Sequence, residues 1–426
     1  MRRKSAKSTR GGPAGASDNR VARLAARIGP RWALALFCAA YAAFCWLITF
    51  GPYEHRFVDV RVYHSAAVAL VQRHDIYAAG EFNFHFSYPP FAVLPALALA
   101  PLGKAGAVVV MTALSIAAIV VICRVTIDLL RPDLARNERW TLALLCAALA
   151  PILEPVYETL SFGQINLLLA AAVLYDVGAR RGWRPHGALV GLMTAVKITP
   201  GLFILYLALT RRFKDALVAA GVAVGATALG FAVMPHASLT YWGSFTHEAD
   251  RVGPIHYIAN QSVFGPAARL SHQANGGRTA AIVVAAIVLC AGLVLAVVAS
   301  RRGDELLGII TCALAGLVAA PISWSHHWVW ALPLAIVLWL AAIRRPGALR
   351  WLGAAGWTLV FSLRTLWFTP REQDRELTQH GFQHVMANPY APAAIAALIV
   401  IAVLLLRRVD EASRGTAGAT NPAAPT

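Results

Sequence analysis

Long, continuous apolar runs dominate this chain of 426 residues. Several of them approach or exceed the roughly 20 residues that an α-helix needs to cross a hydrocarbon core. Hydrophobic residues make up 58% of the chain and charged residues only 14%, so there is too little polar surface to cover a soluble globule of this size. Because backbone polar groups must be satisfied internally in lipid, and because the runs do not alternate, we predict an all-α polytopic membrane protein.

The predicted topology explains most of the net charge of +17. Basic residues cluster at alternate ends of the apolar runs, as they do where cytoplasmic Lys and Arg orient a membrane protein. We therefore predict a multi-pass protein of the plasma membrane, in contact with membrane lipids and not with nucleic acid. With the clusters in the cytoplasm, the sequence predicts about twelve transmembrane helices, at residues 32–50, 104–127, 139–153, 163–178, 186–198, 200–210, 214–234, 278–300, 305–320, 327–343, 349–368 and 391–407.

The two ends of the chain differ in composition from its body. Residues 1–31 are mostly polar and rich in Arg, and residues 409–426 are rich in Gly, Ala, Thr and Pro. We predict disordered cytoplasmic tails at both ends of a transmembrane domain at 32–408. The six cysteines fall within or at the edges of apolar runs without a CxxC pair, which favours packing over disulfides or metal.

Three runs depart from the pattern of plain spans. The runs on either side of Pro200 are too short to cross a membrane alone at about 1.5 Å per residue, so they predict a broken helix. The run 91–102 is predicted to lie parallel to the membrane or to insert halfway, since counting it as a span would place most basic clusters outside. Five segments then lie on the outer face and are expected to form an active site of loops, namely 51–103, 154–162, 235–277, 321–326 and 369–390.

The first outer segment offers a carboxylate and two phenols. Asp59 and Tyr63 are four residues apart, which places them on one face of a predicted helix at 59–73. The carboxylate is either a solvated loop charge or a general base. Tyr88 lies in an aromatic stretch that belongs either to a belt at the headgroup level or to a substrate groove.

Lys197 has the highest free-energy cost of burial in the membrane, because its charged side chain lies near the end of an apolar run. Its ammonium either meets a phosphate or forms an ion pair with Asp59 or Glu154. Gln164 and Asn166 begin another apolar run, and buried amides need hydrogen-bond partners. Contact between helices is the better interpretation for Asn166 and the weaker one for Gln164.

The later outer segments contribute Arg251, Asn260, Gln261 and the adjacent pair His326 and His327. Neighbouring helical residues point about 100° apart, so one histidine at most should face a shared cavity, and metal binding by the pair is disfavoured. The chain contains no DxD motif. We predict neither a metal nor another cofactor.

Six segments together resemble glycosyltransferase family 87, and the resemblance runs from about residue 57 to 340. It implies a GT-C-like bundle with extracytoplasmic active-site loops, and the polyprenyl-phosphate-mannose-dependent α-1,2-mannosyltransferase activity of the mycobacterial enzymes. The segments are Val58–Tyr63, Tyr88–Phe91, Phe162–Asn166, Val196–Pro200, Arg251–Pro254 with Asn260–Ser262, and Pro321–Trp328.

The resemblance also implies roles for particular residues. Asp59 matches the catalytic base, one of the two histidines is expected near the donor phosphate, and Lys197 matches the lysine of the broken helix. Mannose would pass, with inversion, from polyprenyl phosphate mannose to a lipid-linked or cell-envelope glycan acceptor. Cations at the departing phosphate would stabilise the transition state. The expected phosphate and substrate contacts are Lys197, His326, His327, Arg251, Tyr63, Tyr88, Gln164, Glu154, Asn260 and Gln261.

Two alternatives remain open. The enzyme would transfer another sugar from a polyprenyl phosphate donor, or the chain would be a secondary transporter in which the broken helix and Lys197 form a midplane substrate site. A transporter predicts two halves with matching interrupted segments. The break near Pro200 is the obvious one in the sequence.

Overall fold

The computed structural model describes residues 14–51, 56–78, 80–81, 84–178, 186–243, 253–273 and 275–419. The described chain is predominantly helical, with one two-stranded antiparallel sheet of β1 Gly80–Glu81 and β2 Phe84–His85. The α-helices are α1 Ala14–Phe50, α2 Val58–Val71, α3 Val93–Ala96, α4 Gly103–Leu130, α5 Arg136–Leu149, α6 Glu154–Phe162, α7 Asn166–Gly178, α8 Ala188–Val196, α9 Leu202–Leu209, α10 Phe213–Val233, α11 Pro235–Gly243, α12 Phe264–Leu270, α13 Asn275–Arg301, α14 Glu305–Ala319, α15 Ala331–Arg344, α16 Ala348–Val360, α17 Phe382–Ala387 and α18 Tyr390–Ala419. Short 3-10 helices cover Pro90–Ala92, Leu97–Leu102, Ala150–Ile152, Thr199–Gly201, Ser325–Trp330, Thr365–Phe368 and Arg375–Thr378.

Fewer helices of the described residues are long and apolar enough to cross a membrane alone than the twelve spans predicted. Each of the twelve predicted runs contains a helix, but many of these helices are too short to cross a membrane alone. In the described residues, six helical stretches are long and apolar enough, and α5 with α6 adds a seventh if that pair, bent by 79°, is one span. The prediction of about twelve transmembrane helices is therefore not confirmed. The six stretches are Arg20–Phe50, Pro90–Leu130, Phe213–Val233, Asn275–Arg301, Ser325–Arg344 and Tyr390–Arg407.

The terminal helices extend into the tails that composition predicted to be disordered. Helix α1 begins at Ala14 and α18 ends at Ala419. Both extensions contain several Ala and Arg, which favour helix. Helix α1 is interrupted at Gly29, whose φ of 70° lies in the left-handed region, and Pro30 follows it.

The run 91–102 forms a series of short helical turns rather than a regular helix. It comprises two 3-10 segments around α3, and Gly103 with a φ of 64° separates it from the long α4. These turns pack against α2. The run therefore supports the helix that carries Asp59.

Two buried apolar clusters form the interior. The larger one joins α1, α4, α5, α7, α14 and α15, while the smaller one surrounds α2 and includes Tyr63, Phe86 and Val196. In the sequence, Lys197 directly follows Val196, which belongs to the smaller cluster. His327 directly precedes Trp328, which belongs to the larger cluster. The candidate site lies where the two clusters meet.

The five predicted outer segments contact one another, although they are far apart in the sequence. This is the arrangement that an active site made of several loops requires. The hydrogen bonds that join them are Phe57 N to Ser161 O (2.7 Å), Thr159 Oγ1 to His326 O (2.9 Å), Asn260 Nδ2 to Pro321 O (3.1 Å), His256 Nε2 with Asp374 Oδ1 (2.8 Å) and Gln261 Nε2 to Ala387 O (2.7 Å).

Candidate active site

Asp59 lies in the first turn of α2, close to the predicted helix 59–73. Phe57, in a left-handed conformation with a φ of 55°, precedes the helix, and its N–H donates to Ser161 O of α6. This bond fixes the start of α2 against α6. Tyr63 is buried one turn after Asp59, whereas Asp59 retains partial solvent exposure and is open to a substrate.

Gln164 joins the two phenols of the site. Its Oε1 accepts hydrogen bonds from Tyr63 Oη at 3.1 Å and from Tyr88 Oη at 3.0 Å, and the two hydroxyl oxygens are 3.1 Å apart. Tyr77 Oη in turn donates to Tyr88 O at 3.0 Å. The tyrosines are thus fixed by hydrogen bonds rather than by apolar packing alone.

Gly163 lets Gln164 approach α2. It ends α6 with a φ of 67°, a left-handed conformation that favours glycine. A Cβ on Gly163 would lie 2.7 Å from Val60 Cγ1, closer than real Cβ atoms approach a neighbour. The absence of a side chain therefore permits both the turn and the close contact that places the Gln164 amide beside Tyr63.

The surroundings of Asp59 place its pKa near neutrality. Burial raises the pKa of this carboxyl to about 7, while the positive charge of Lys197 and a hydrogen bond from Gln164 act in the opposite direction. An ideal general base has a pKa near the working pH. Asp59 is therefore suited to accept a proton at physiological pH.

Lys197 lies at the break that Pro200 predicted. It follows α8 in an extended conformation (φ −148°, ψ 128°), and a 3-10 turn at Thr199–Gly201 leads into α9. Its Nζ donates to Asn166 Oδ1 at 2.9 Å and lies 3.3 Å from His327 Nε2. The same Nζ is 5.2 Å from the ring centroid of Tyr88. Lys197 thus connects the histidine pair to the phenols.

The two histidines face different surroundings, as their adjacency predicted. Their rings are 89° apart in the 3-10 helix Ser325–Trp330. His327 contacts Lys197, while His326 packs edge-on against Phe162, and its Nε2 is buried without a hydrogen-bond partner in the described residues. Asn166 Nδ2 donates to His326 O at 3.0 Å, so Asn166 positions both Lys197 and the histidine turn.

A cavity of about 260 Å³ begins at this polar group. Its polar lining residues are Lys197, Asn166, Thr199, Ser323 and His327, and the rest of the wall is largely apolar. The apolar lining includes Leu169, Ala170, Val173, Leu202, Phe203, Leu289, Leu317, Val329 and Trp330, from α7, α9, α13, α14 and the 3-10 helix Ser325–Trp330. Such a cavity matches an amphipathic molecule with an anionic head and an apolar chain.

The structure places Glu154 in a different buried cluster. Its two carboxylate oxygens accept hydrogen bonds from Trp367 Nε1 at 2.6 Å and Tyr390 Oη at 2.7 Å. Glu158, one turn later, accepts from Ser325 Oγ. Glu154 therefore lies apart from the group around Lys197, and its oxygens are occupied within the protein.

Asn260 and Gln261 are also engaged within the protein. Asn260 donates to Ile255 O and Pro321 O, and Gln261 donates to Ile258 O and Ala387 O. Both are buried and join separate loops through backbone groups. Arg251 lies outside the described residues, so its role remains a prediction.

Two contributors are less visible in the sequence. Asn166, for which the sequence favours a contact between helices, makes one to Lys197 at the end of α8 and so contributes to the site directly. Tyr77 donates a hydrogen bond to Tyr88 O, and its ring stacks on that of Tyr241. It belongs to none of the sequence motifs described above. Within the described residues, no group of three or more His, Cys, Asp or Glu is arranged to hold a metal ion.

Comparison with known proteins decides the family. Residues 86–323, more than half of the chain, match glycosyltransferase family 87. The chain belongs to glycosyltransferase family 87. No solved structure matches it.

Three relatives resemble the chain over most of its length. A polyprenol-phosphate-mannose-dependent alpha-(1-2)-phosphatidylinositol mannoside mannosyltransferase of Mycobacterium tuberculosis is 32% identical, over 94% of this chain and 98% of the relative. The protein of the same name from Mycolicibacterium smegmatis is 32% identical over 83% and 84%. A phosphatidylinositol pentamannoside mannosyltransferase of M. tuberculosis is 34% identical over 74% and 76%.

Proposed function

We propose that this family 87 protein transfers mannose from polyprenyl phosphate mannose to a mannose-containing glycolipid, forming an α-1,2 linkage. The names of relatives that are similar over nearly the whole chain support the donor, the sugar and the linkage. The cavity that begins at Lys197 supports the same donor class, because it combines a cation with a largely apolar wall. This combination is the observation that carries the proposal.

The donor phosphate would bind at the polar end of the cavity. Lys197 Nζ is already held by Asn166 and His327, which leaves it oriented for an anion. The polyprenyl chain would follow the apolar wall. Arg251 and one of the two histidines remain candidates for additional phosphate contacts.

The transfer is a single displacement at the anomeric carbon. An acceptor hydroxyl loses its proton to Asp59 while its oxygen bonds to C1 of mannose, and the bond from C1 to the phosphate oxygen breaks. The electron pair of that bond leaves with polyprenyl phosphate. Because negative charge grows on the leaving phosphate, Lys197 stabilises the transition state more than the ground state. A β-linked donor would thereby give an α-linked product.

Apart from His326, the other predicted residues of this part of the chain divide into two groups. Tyr63, Tyr88 and Gln164 form the hydrogen-bonded wall beside Asp59 and would contact the reacting sugars. Glu154, Asn260 and Gln261 have their polar atoms occupied within the protein, so we assign them to holding the loops together. His326 would act mainly through its backbone, which Thr159 and Asn166 bind.

We place this site on the extracytoplasmic face of the plasma membrane. The five segments that meet around it are those that lie opposite the basic clusters. A GT-C-like architecture with loops over a helical bundle fits this arrangement.

Mannose transfer can be tested directly in membranes that contain the protein. Radiolabelled polyprenyl phosphate mannose and a glycolipid acceptor with terminal mannose should yield a labelled product that an α-1,2-specific mannosidase hydrolyses. Membranes with the Asp59→Asn protein serve as the control. Transfer only from a donor that carries another sugar would replace mannose in the proposal, and solute uptake without any transfer would favour a transporter.

A further inference from the structure

A buried glutamate is bonded to the turn that carries the two histidines. Glu158 lies on α6, one turn after Glu154, and is only 8% exposed. Its carboxylate accepts a hydrogen bond from the hydroxyl of Ser325, a fully buried residue that begins the 3-10 helix Ser325–Trp330, called here the histidine turn. The two residues are 167 positions apart in the sequence, so this bond joins two of the outer segments that meet at the site.

A carboxylate is unfavourable to bury at this position, so its presence calls for an explanation. Glu154 lies on the same face of α6 four residues earlier, and both acids are buried. The positive charge of Arg364, whose Cζ lies 3.9 Å from the ring centroid of Tyr157, acts on both carboxylates. This charge explains how two neighbouring acids are tolerated. It does not explain why one of them meets the histidine turn.

The bond gives the histidine turn a second point of attachment. The carbonyl oxygen of His326 accepts hydrogen bonds from Thr159 Oγ1 at 2.9 Å and from Asn166 Nδ2 at 3.0 Å. Bonds that meet at one atom constrain the position of a turn more than its orientation. The bond from the neighbouring Ser325 to Glu158 adds a constraint at a second atom, so α6 and α7 together fix the direction in which the turn presents its side chains.

The orientation of the histidine turn determines where His327 lies. His327 Nε2 is 3.3 Å from Lys197 Nζ, and the same Nζ donates to Asn166 Oδ1 at 2.9 Å. A displaced turn would therefore remove one of the contacts that orient the ammonium toward the cavity. Glu158 itself does not line that cavity. Any effect of Glu158 on a ligand there passes through the turn.

We propose that Glu158 is a positioning residue for the donor phosphate, acting through its hydrogen bond with Ser325. The inference rests on the proposed function and adds a residue that does not touch the substrate. The bond holds the histidine turn against α6, the turn places His327 beside Lys197, and Lys197 binds the phosphate. Glu158 transfers no proton in this scheme. Its side chain is needed as a hydrogen-bond acceptor.

Binding of radiolabelled polyprenyl phosphate to the purified protein in detergent tests this role. Ser325→Ala removes the donor of the bond, and Glu158→Met removes the acceptor while keeping a similar size. Each should raise the Kd about tenfold, the usual value of one hydrogen bond, and the double variant should raise it no further because both changes remove the same bond. Glu158→Gln retains an acceptor oxygen and should bind nearly as the native protein does.

Three results of this titration would each overturn the proposal. The first is a native Kd in Ser325→Ala. The second is a double variant in which the two effects add, because the side chains would then act independently. The third is Glu158→Gln binding as weakly as Glu158→Met, because the charge and not the bond would then matter.

Ser300→Ala is the matched control for a loss of stability alone. Ser300 Oγ also donates to a buried glutamate, Glu305 Oε2, at 2.7 Å, and neither residue lines the cavity that begins at Lys197. Ser300→Ala and Ser325→Ala should lower the temperature of thermal unfolding by similar amounts, while Ser325→Ala alone weakens polyprenyl phosphate binding. An equal rise of the Kd in both variants would show an effect of stability and would overturn the positioning role.

The binding measurement separates this role from the proposed reaction. If the native protein binds polyprenyl phosphate, Ser325→Ala weakens that binding and no mannose is transferred, then the role of Glu158 stands and the reaction fails. If mannose is transferred but Ser325→Ala leaves the Kd unchanged, the reaction stands and Glu158 has no positioning role. A native protein that does not bind polyprenyl phosphate would overturn both.

Discussion

At the scale of single residues, Asp59 is the side chain on which the proposed chemistry depends most. Asp59→Asn keeps the size of the side chain but cannot accept the proton of the acceptor hydroxyl. Turnover should fall by about 10²- to 10⁴-fold, the usual contribution of a general base, while donor binding persists. Radiolabelled mannose transfer and donor photolabelling measure the two effects. Asp374→Asn is the control, because this aspartate is exposed and the asparagine oxygen can still accept the hydrogen bond from His256; near-native transfer by Asp59→Asn would reject the assignment.

The raised pKa of Asp59 predicts the pH dependence of the reaction. The base is active when deprotonated, and burial raises its pKa to about 7. The value of kcat/KM should therefore fall by about tenfold per pH unit below that pKa and level off above it. Lys197 lowers the pKa of Asp59, so Lys197→Met should move the midpoint of the profile to higher pH. A profile that is flat across this range would contradict the role of Asp59.

Lys197 is expected to act on the donor rather than as a structural ion pair. Its ammonium contacts Asn166 and His327, and the carboxylate of Glu154 is engaged elsewhere. Lys197→Met should leave a folded protein with a much higher Kd for polyprenyl phosphate mannose, because the phosphate loses its cation. Competition against a photoreactive donor measures this Kd.

The control is Lys214→Met, at an exposed lysine, which should bind the donor normally. Recovery of a poorly folded Lys197→Met protein by also neutralising Asp59 would instead indicate an ion pair.

At the scale of elements, the turn between α6 and α7 should tolerate little change. Gly163→Ala places a methyl group on a left-handed residue and against Val60, so it should destabilise the protein by about 1–3 kcal/mol and displace Gln164. Gly221→Ala, in α10 with open space around its Cα, should be neutral or stabilising. Thermal unfolding in detergent and mannose transfer compare the two variants. Equal behaviour of both would show that the close approach of α6 to α2 is dispensable.

Local sequence signals predicted the elements that carry the site. The spacing of Asp59 and Tyr63 predicted a shared helical face, and Pro200 predicted the break beside Lys197; the structure has both. The partners of Glu154 and Gln261 could not be predicted, since residue types do not specify which distant groups they meet. The count of about twelve spans is not confirmed, because apolar content alone does not show where a helix ends. The bend of 79° between α5 and α6 illustrates this.

At the scale of the whole molecule, the segments that meet at the site should all face the cell exterior. Thr378 is exposed in the predicted outer segment 369–390, and Lys214 is exposed beside a predicted cytoplasmic cluster. With the native cysteines replaced, of which Cys38 and Cys290 are exposed, Thr378→Cys should react with an impermeant maleimide in intact cells. Lys214→Cys should react only after lysis, because the basic clusters orient the chain. The opposite labelling pattern would reverse the topology.

The bond between Tyr390 and Glu154 has a consequence for biosynthesis. The two residues are 236 positions apart, yet the Tyr390 hydroxyl satisfies a carboxylate at the start of α6, whose other end leads to Gln164. A nascent chain on the ribosome therefore contains Asp59, Lys197 and His327 well before the bond between Tyr390 and Glu154 can form. Until α18 leaves the translocon, Glu154 lacks this donor, and a buried carboxylate without its donors is unfavourable. We therefore expect α6 to be fully stabilised only late in synthesis, and a chain that ends before Tyr390 to contain the proposed reactive residues without this hydrogen bond.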